Sequence, residues 1–205
     1  MRPDVNRAEQ RARQYWYDDG VAEIAIGCVL LMVGLLFLAE HTGIIVPGAS
    51  SLGLIAVVLG GWWLAGIAVR AVKTRLTYPR TGYVRYTRER GRKRSRLTVG
   101  IIGAVIGALM AALLTTAPAS LSWIPALDGL LGGIFFLYLG YTVGLVRFYL
   151  LGVLSVVVGA VASLAGLADL LGSAVYFGSV GIAMLLSGVI TLIHYLRTTR
   201  PPEEA

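Results

Sequence analysis

The chain's apolar residues come in long, nearly unbroken runs separated by short polar stretches. Six runs have the length of a bilayer-crossing helix: Val21–Ala39, Leu52–Val69, Leu97–Leu114, Leu130–Val146, Phe148–Ala168 and Ala174–Ile193. A crossing helix needs about 20 mostly apolar residues. Membrane strands are excluded, because they run about ten residues with alternating polarity. The fourth and fifth runs are almost continuous. As one helix, Leu130 to Ala168 would be about 58 Å long at ~1.5 Å per residue, against a hydrocarbon core of about 30 Å. The chain must therefore turn back, and Arg147, flanked by Gly144 and Gly152, is the only charge that marks the turn.

Composition supports the same reading. Charged residues are 14% of the 205 and hydrophobic residues 57%. Ordinary globular proteins carry about 25% charge. Mean hydropathy is +0.75. A single cysteine, Cys28, excludes a disulfide scaffold. The predicted class is all-α: a polytopic membrane protein with a six-transmembrane-helix bundle. It divides into an N-terminal segment (1–20), a membrane domain (21–196) containing a basic loop (70–96), and a tail (197–205).

Charge sets the orientation. The 18 cations fall into four segments: before the first run, between the second and third, at Arg147, and after the sixth. With six crossings all four segments share one side; five crossings would break that separation. Cations near span ends stay cytoplasmic, so both termini are expected in the cytoplasm of a bacterial-type inner membrane. Twenty mostly polar residues precede the first full-length run, which argues against a cleavable signal. Cys28 lies inside that run and reads as a buried free thiol.

Glycines recur at sevens: Gly20, Gly27 and Gly34; Gly53 and Gly60; Gly133 and Gly140; Gly152, Gly159 and Gly166; Gly181 and Gly188. Gly103–Gly107 and Gly140–Gly144 are four apart. Seven residues are two turns, so each set lines one helix face and suits close left-handed packing. Tight bundle packing, including a homo-oligomer contact or a membrane partner protein, is the expected use. Asp19-Gly20 and Asp128-Gly129 each precede a run that opens a group of three, the arrangement of an inverted repeat. The glycine pairs of the second and fifth runs align at a different offset, which weakens the repeat.

Ionisable groups in a membrane are costly and mark candidate sites. Glu23 and Arg147 fall at similar depth on the cytoplasmic side. A pair would neutralise both; the sequence favours instead a snorkelling Glu23 and an Arg147 that anchors topology. Asp128 and Asp169 are placed at the outer ends of the fourth and fifth runs. Asp128 suits a helix cap, whereas Asp169, closing a helix, gains nothing from capping. Tyr15, Trp16, Tyr17, Tyr149 and Tyr195 at the inner boundary, with Trp123 and Tyr176 at the outer, form an aromatic belt. Trp62, Trp63, Tyr138 and Tyr141 lie deeper. The two tyrosines share a face that suits core packing over a cavity lining.

The loop from Arg70 to Arg96 holds eleven cations and one acid. Pro79 and Gly82 bracket a turn, and the threonine, tyrosine and valine around them suit a short hairpin over Tyr78–Tyr86. Lys73, Arg75, Arg80, Arg85, Arg88, Arg90, Arg92, Lys93, Arg94 and Arg96 are the candidate contacts for anionic headgroups, each worth about 1 kcal/mol near such a surface. No nucleic-acid recognition motif occurs, and nucleic acid is not an expected partner.

Catalytic motifs are missing from the sequence: there is no H-E-x-x-H, C-x-x-C, Walker loop or G-x-S-x-G. His41 and His194 fall on opposite sides of the membrane. No cofactor or metal is expected. The leading expectation is a non-enzymatic subunit, scaffold or lipid-contacting helper. A small-solute or ion transporter is the alternative, and an intramembrane enzyme the third.

Overall fold

The computed structural model describes residues 14, 17–47, 49–77, 123–167 and 169–199. The expected third crossing (97–114), the Tyr78–Tyr86 hairpin and the cations from Arg80 to Arg96 lie outside these residues. Five α-helices are described: α1 (Val21–His41), α2 (Ala49–Val72), α3 (Ile124–Val143), α4 (Val146–Leu164) and α5 (Asp169–Thr198), with a π-helical turn, Lys73–Thr77, extending α2. No strand occurs among the described residues. All five helices are long and apolar enough to cross a membrane.

Glycine contacts fix how the helices run. Gly20, Gly27 and Gly34 of the α1 side meet, in that order, Gly188, Gly181 and Gly178 of α5, so α1 and α5 are antiparallel. Gly129 and Gly133 of α3 meet Gly159 and Gly152 of α4, a second antiparallel pair. In lipid, apolar side chains gain little from one another, and small residues let backbones touch. Gly53 and Gly61 of α2 lie against Leu36 and Val29 of α1, again antiparallel. Pro125 faces Gly172 and Gly132 faces Tyr176, which makes α3 and α5 parallel. Helices α2, α3 and α5 therefore run one way and α1 and α4 the other. Residue 77 lies at the end that carries Val21 and Arg147, and residue 123 at the opposite end. Segment 78–122 links the two ends, one helix length apart, or about 30 Å for 20 residues.

The glycine sevens hold at these packed faces and fail at two positions. Gly60 has no described atom within 4 Å of an added Cβ, and neither does Gly166. Gly166 instead takes a left-handed backbone, φ 66°, in the turn after α4.

Several boundaries differ from the sequence reading. Helix α3 starts at Ile124, not Leu130, with Pro125 in its first turn, where a missing N–H costs nothing. Asp128 therefore sits inside the helix and caps nothing. The turn between α3 and α4 is made by Gly144, left-handed at φ 78°, and the extended Leu145. Asp169 opens α5 instead of closing the helix before it.

The core is narrow. Phe136, Val143, Phe148, Leu151, Tyr176, Val180 and Met184 fill the space among α3, α4 and α5, with Ile26 and Leu30 of α1 against them. Phe37 of α1 stacks on Phe177 of α5, ring centroids 5.9 Å apart. Most other large apolar side chains face outward, including Leu52, Leu59, Ile134, Leu150, Val161 and Ile190. So large an apolar exterior is what hydrocarbon demands and water penalises. Trp62, Trp63, Tyr138 and Tyr141 are on this exterior, each more than 60% exposed, so the tyrosines lie outside the core that the described helices form. Cys28 is also exposed, not buried. Tyr176 leaves the expected aromatic belt for the core.

Candidate functional site

The buried ionisable groups gather at the end of the bundle where α1 and α4 begin. Glu23 is one turn into α1 and its side chain is fully buried. Arg147 is the second residue of α4. The tight Gly144–Leu145 turn swings it across that end. Its Nε lies 2.7 Å from Glu23 Oε1. The two atoms meet as an ion contact without hydrogen-bond alignment, and among the described residues neither makes another hydrogen bond. Glu23 Oε2 accepts from the Ser187 hydroxyl of α5 at 2.8 Å. The guanidinium also donates to Thr191 Oγ1 of α5 at 3.2 Å and to the Tyr17 carbonyl. Its carbon lies 5.6 Å from the centre of the Phe148 ring. One cation thus ties α4 to α1, to α5 and to the segment before α1. The sequence favoured an unpaired reading of Glu23 and Arg147; the geometry pairs them. Full burial leaves Glu23 no route to snorkel.

A second ion pair lies beside the first. Lys73 Nζ is 2.7 Å from Asp19 Oδ2, with both side chains almost wholly buried. Asp19 also accepts from the Val21 amide at 3.2 Å, closing the start of α1. Gly20, left-handed at φ 68°, makes the bend that turns Asp19 inward and lets the backbone meet Gly188. Lys73 reaches Asp19 from the π-helical turn that follows α2. Such turns often sit at functional positions. This corrects the reading of Lys73 as a headgroup contact: it is committed to Asp19. Arg75, two residues on, is exposed.

Tyr17 and Asp18 sit just outside the first helix. Burial raises the Tyr17 phenol above its ordinary value, and the Glu23 charge adds to this. Burial also raises the Asp18 carboxyl; Arg147 and Lys73 oppose the rise and Asp19 adds to it.

Another buried polar group is deeper. Ser155 of α4 is fully buried; its hydroxyl lies 2.8 Å from the Tyr176 hydroxyl of α5 and donates to the Gly129 carbonyl of α3 at 3.1 Å. Gly132 leaves the room for this: a Cβ there would stand 2.7 Å from Ser155 Oγ. Near the far end, Ser163 Oγ accepts from the Ala126 amide at 2.9 Å, satisfying a free donor in the first turn of α3. Asp128 lies one residue before Gly129, half-buried and well removed from Glu23 and Arg147. The structure thus brings Glu23 and Arg147 together and leaves Asp128 and Asp169 at the opposite end. Sequence reasoning missed Asp19, Ser155 and Tyr176 as partners. A visible signal was that Asp19 and Lys73 both flank spans on the same predicted side.

Among the described residues no group of three or more His, Cys, Asp or Glu side chains is placed to hold a metal ion. Comparison with protein-family models, with curated proteins and with solved structures gives no match.

Proposed function

We propose that this is a non-enzymatic integral membrane bundle, a subunit or scaffold that holds its basic loop against anionic headgroups. Five apolar helices make it a membrane protein by length and composition. The observation that carries the finer reading is the mutual neutralisation of Asp19 with Lys73 and of Glu23 with Arg147. Buried charges arranged in pairs join helices; they present no free charge to a passing solute. The sixth crossing belongs to the proposal as well: the apolar run 97–114 returns the chain from the end at residue 77 to the end at residue 123. Six crossings place both termini and residues 70–96 in the cytoplasm of a bacterial-type inner membrane, where Arg75 and the cations from Arg80 to Arg96 meet anionic lipid.

A transporter is the second reading. The observation in its favour is that Glu23, Arg147, Ser155 and Tyr176 all lie where the α1–α5 pair meets the α3–α4 pair. Substituted-cysteine labelling separates the two. In a Cys28→Ala background, Ser155→Cys in native membranes should resist a membrane-impermeant thiol reagent applied from either side. Labelling from either side would reveal a watered path and favour the transporter.

A further inference from the structure

We infer that the contact between the α1–α5 pair and the α3–α4 pair is a movable joint, bolted at one end by Arg147 and midway along α4 by the Ser155–Tyr176 hydroxyl pair. This rests on the membrane reading but not on whether the protein is a scaffold or a transporter. The inference follows from a contrast in how the helices are joined. Within each pair, backbone meets backbone at glycines: Gly27 and Gly181 on one side, Gly129 and Gly159 on the other. Such contacts bring backbone against backbone, with no side chain between them that could reorient. Between the pairs no glycine backbone meets another glycine among the described contacts. The joint is filled by side chains instead. Phe148 and Leu151 of α4 and Phe136 and Val143 of α3 lie against Val180 and Met184 of α5. Tyr17 meets Phe148 edge-on, ring centroids 5.4 Å apart.

Polar bonds across the joint occur only at two levels among the described residues. Near the Arg147 end they are the guanidinium's bonds to Glu23, Thr191 and the Tyr17 carbonyl. Nearer the far end the bond is Ser155 to Tyr176. On α5 the residues along the joint are Tyr176, Val180, Met184 and Thr191, which run polar, apolar, apolar, polar on one face. The two bolts differ in kind. One is an ion contact whose cation is 23% exposed while its anion is fully buried, so the end of the bolt can be reached from outside. The other is neutral and buried. The Asp19–Lys73 pair joins the segment before α1 to the turn after α2, both on the α1 side of the joint. The chain passes from α4 to α5 through Gly166, left-handed at φ 66°, where an added Cβ would meet no described atom within 4 Å. Release of Arg147 would part the pairs at its own end, expose Glu23 and Ser187, and leave the α3–α4 contact shut.

The test is a pair of spin-label distances in the full chain in nanodiscs, in a Cys28→Ala background. Labels at Tyr149 of α4 and His194 of α5 span the joint. Labels at Tyr141 of α3 and Tyr149 of α4 stay within one pair. All three positions are exposed. Arg147→Gln is the releasing variant. Glu23→Gln, which keeps the side-chain shape, releases the same ion contact if the arginine variant does not fold. The joint predicts a lengthened or two-peaked Tyr149–His194 distance in either variant, with Tyr141–Tyr149 unchanged. An unchanged Tyr149–His194 distance would make Arg147 a rigid fixture and overturn the joint. Lengthening of both distances would mean general loosening and overturn it equally. The Ser155→Cys labelling above can fail while this distance pattern holds, so the two claims fail separately.

Discussion

Replacing Gly159 with alanine tests the helix packing most sharply, because the same seven-residue spacing supplies its control. An alanine Cβ at Gly159 would stand 2.7 Å from Gly129 Cα and 3.0 Å from Gly129 N, and would run into the Pro125 carbonyl. All three are backbone atoms of α3, so no side chain can turn aside. Ordinary contact begins near 3.4 Å, so the helices must separate by about 1 Å or bend. Overpacking costs about 1–3 kcal/mol when the surroundings can shift, and here only a whole helix can. Separation also weakens the Ser155 bond to the Gly129 carbonyl, worth about 1 kcal/mol. Against this, alanine gains about 1 kcal/mol of helix propensity over glycine. The net loss is about 1–3 kcal/mol. For a chain near 200 residues, each 1 kcal/mol moves Tm by about 2–4 °C. Gly60→Ala meets no described atom within 4 Å and keeps only the propensity gain. In detergent, thermal unfolding should therefore drop by about 2–12 °C for Gly159→Ala and hold or rise for Gly60→Ala. Equal behaviour of the two variants would refute the packing argument.

Three further outcomes follow from the polar groups. Removing one partner of a buried ion pair costs about 3–5 kcal/mol, so Lys73→Met should lower Tm strongly, and adding Asp19→Asn should recover much of the loss in a double-mutant cycle. Tyr176→Phe leaves Ser155 bonded to Gly129 and should cost only about 1 kcal/mol, whereas Ser155→Ala strands the Tyr176 hydroxyl and should cost more. Because burial raises the folded-state pKa of Asp18 above 3.8, its ionisation opposes folding, and the penalty grows as pH rises through the interval from 3.8 to the raised value. Asp18→Asn should accordingly stabilise the protein at neutral pH, with the gain vanishing toward pH 4 when wild type and variant melts are compared at each pH.

The helical, membrane-crossing class was readable from apolar run length alone, since only an all-apolar helix explains such runs. The start of α1 at Val21 was visible because Gly20 and the preceding polar residues mark it. The start of α3 was not: Asp128 looked like a boundary, although a membrane helix tolerates a carboxylate near one end. Glycine spacing indicated which faces would pack, and Gly27, Gly34, Gly159 and Gly181 do. It could not show that Gly60 faces away from the other described helices, because spacing fixes a face of one helix but not what lies opposite. The pairings fail to show in sequence for the same reason. Glu23 and Arg147 are 124 positions apart, and whether they meet depends on the rotation of two helices and on the swing made by Gly144 and Leu145. Lys73 looked like one more loop cation; the π-helical turn that points it at Asp19 has no marker in the chain. Cys28 and the pair Tyr138 and Tyr141 lie deep within apolar runs, and depth in a membrane does not separate core from lipid-facing surface.

The most direct measurement of the proposed architecture is a pair of topology reporters flanking the run 97–114. One is inserted between Gly91 and Arg92, the other at Ser120. Six crossings with the basic loop inside predict a cytoplasmic signal from the first and an external signal from the second. Two signals from the same side would mean that 97–114 does not cross, and would contradict the six-helix bundle.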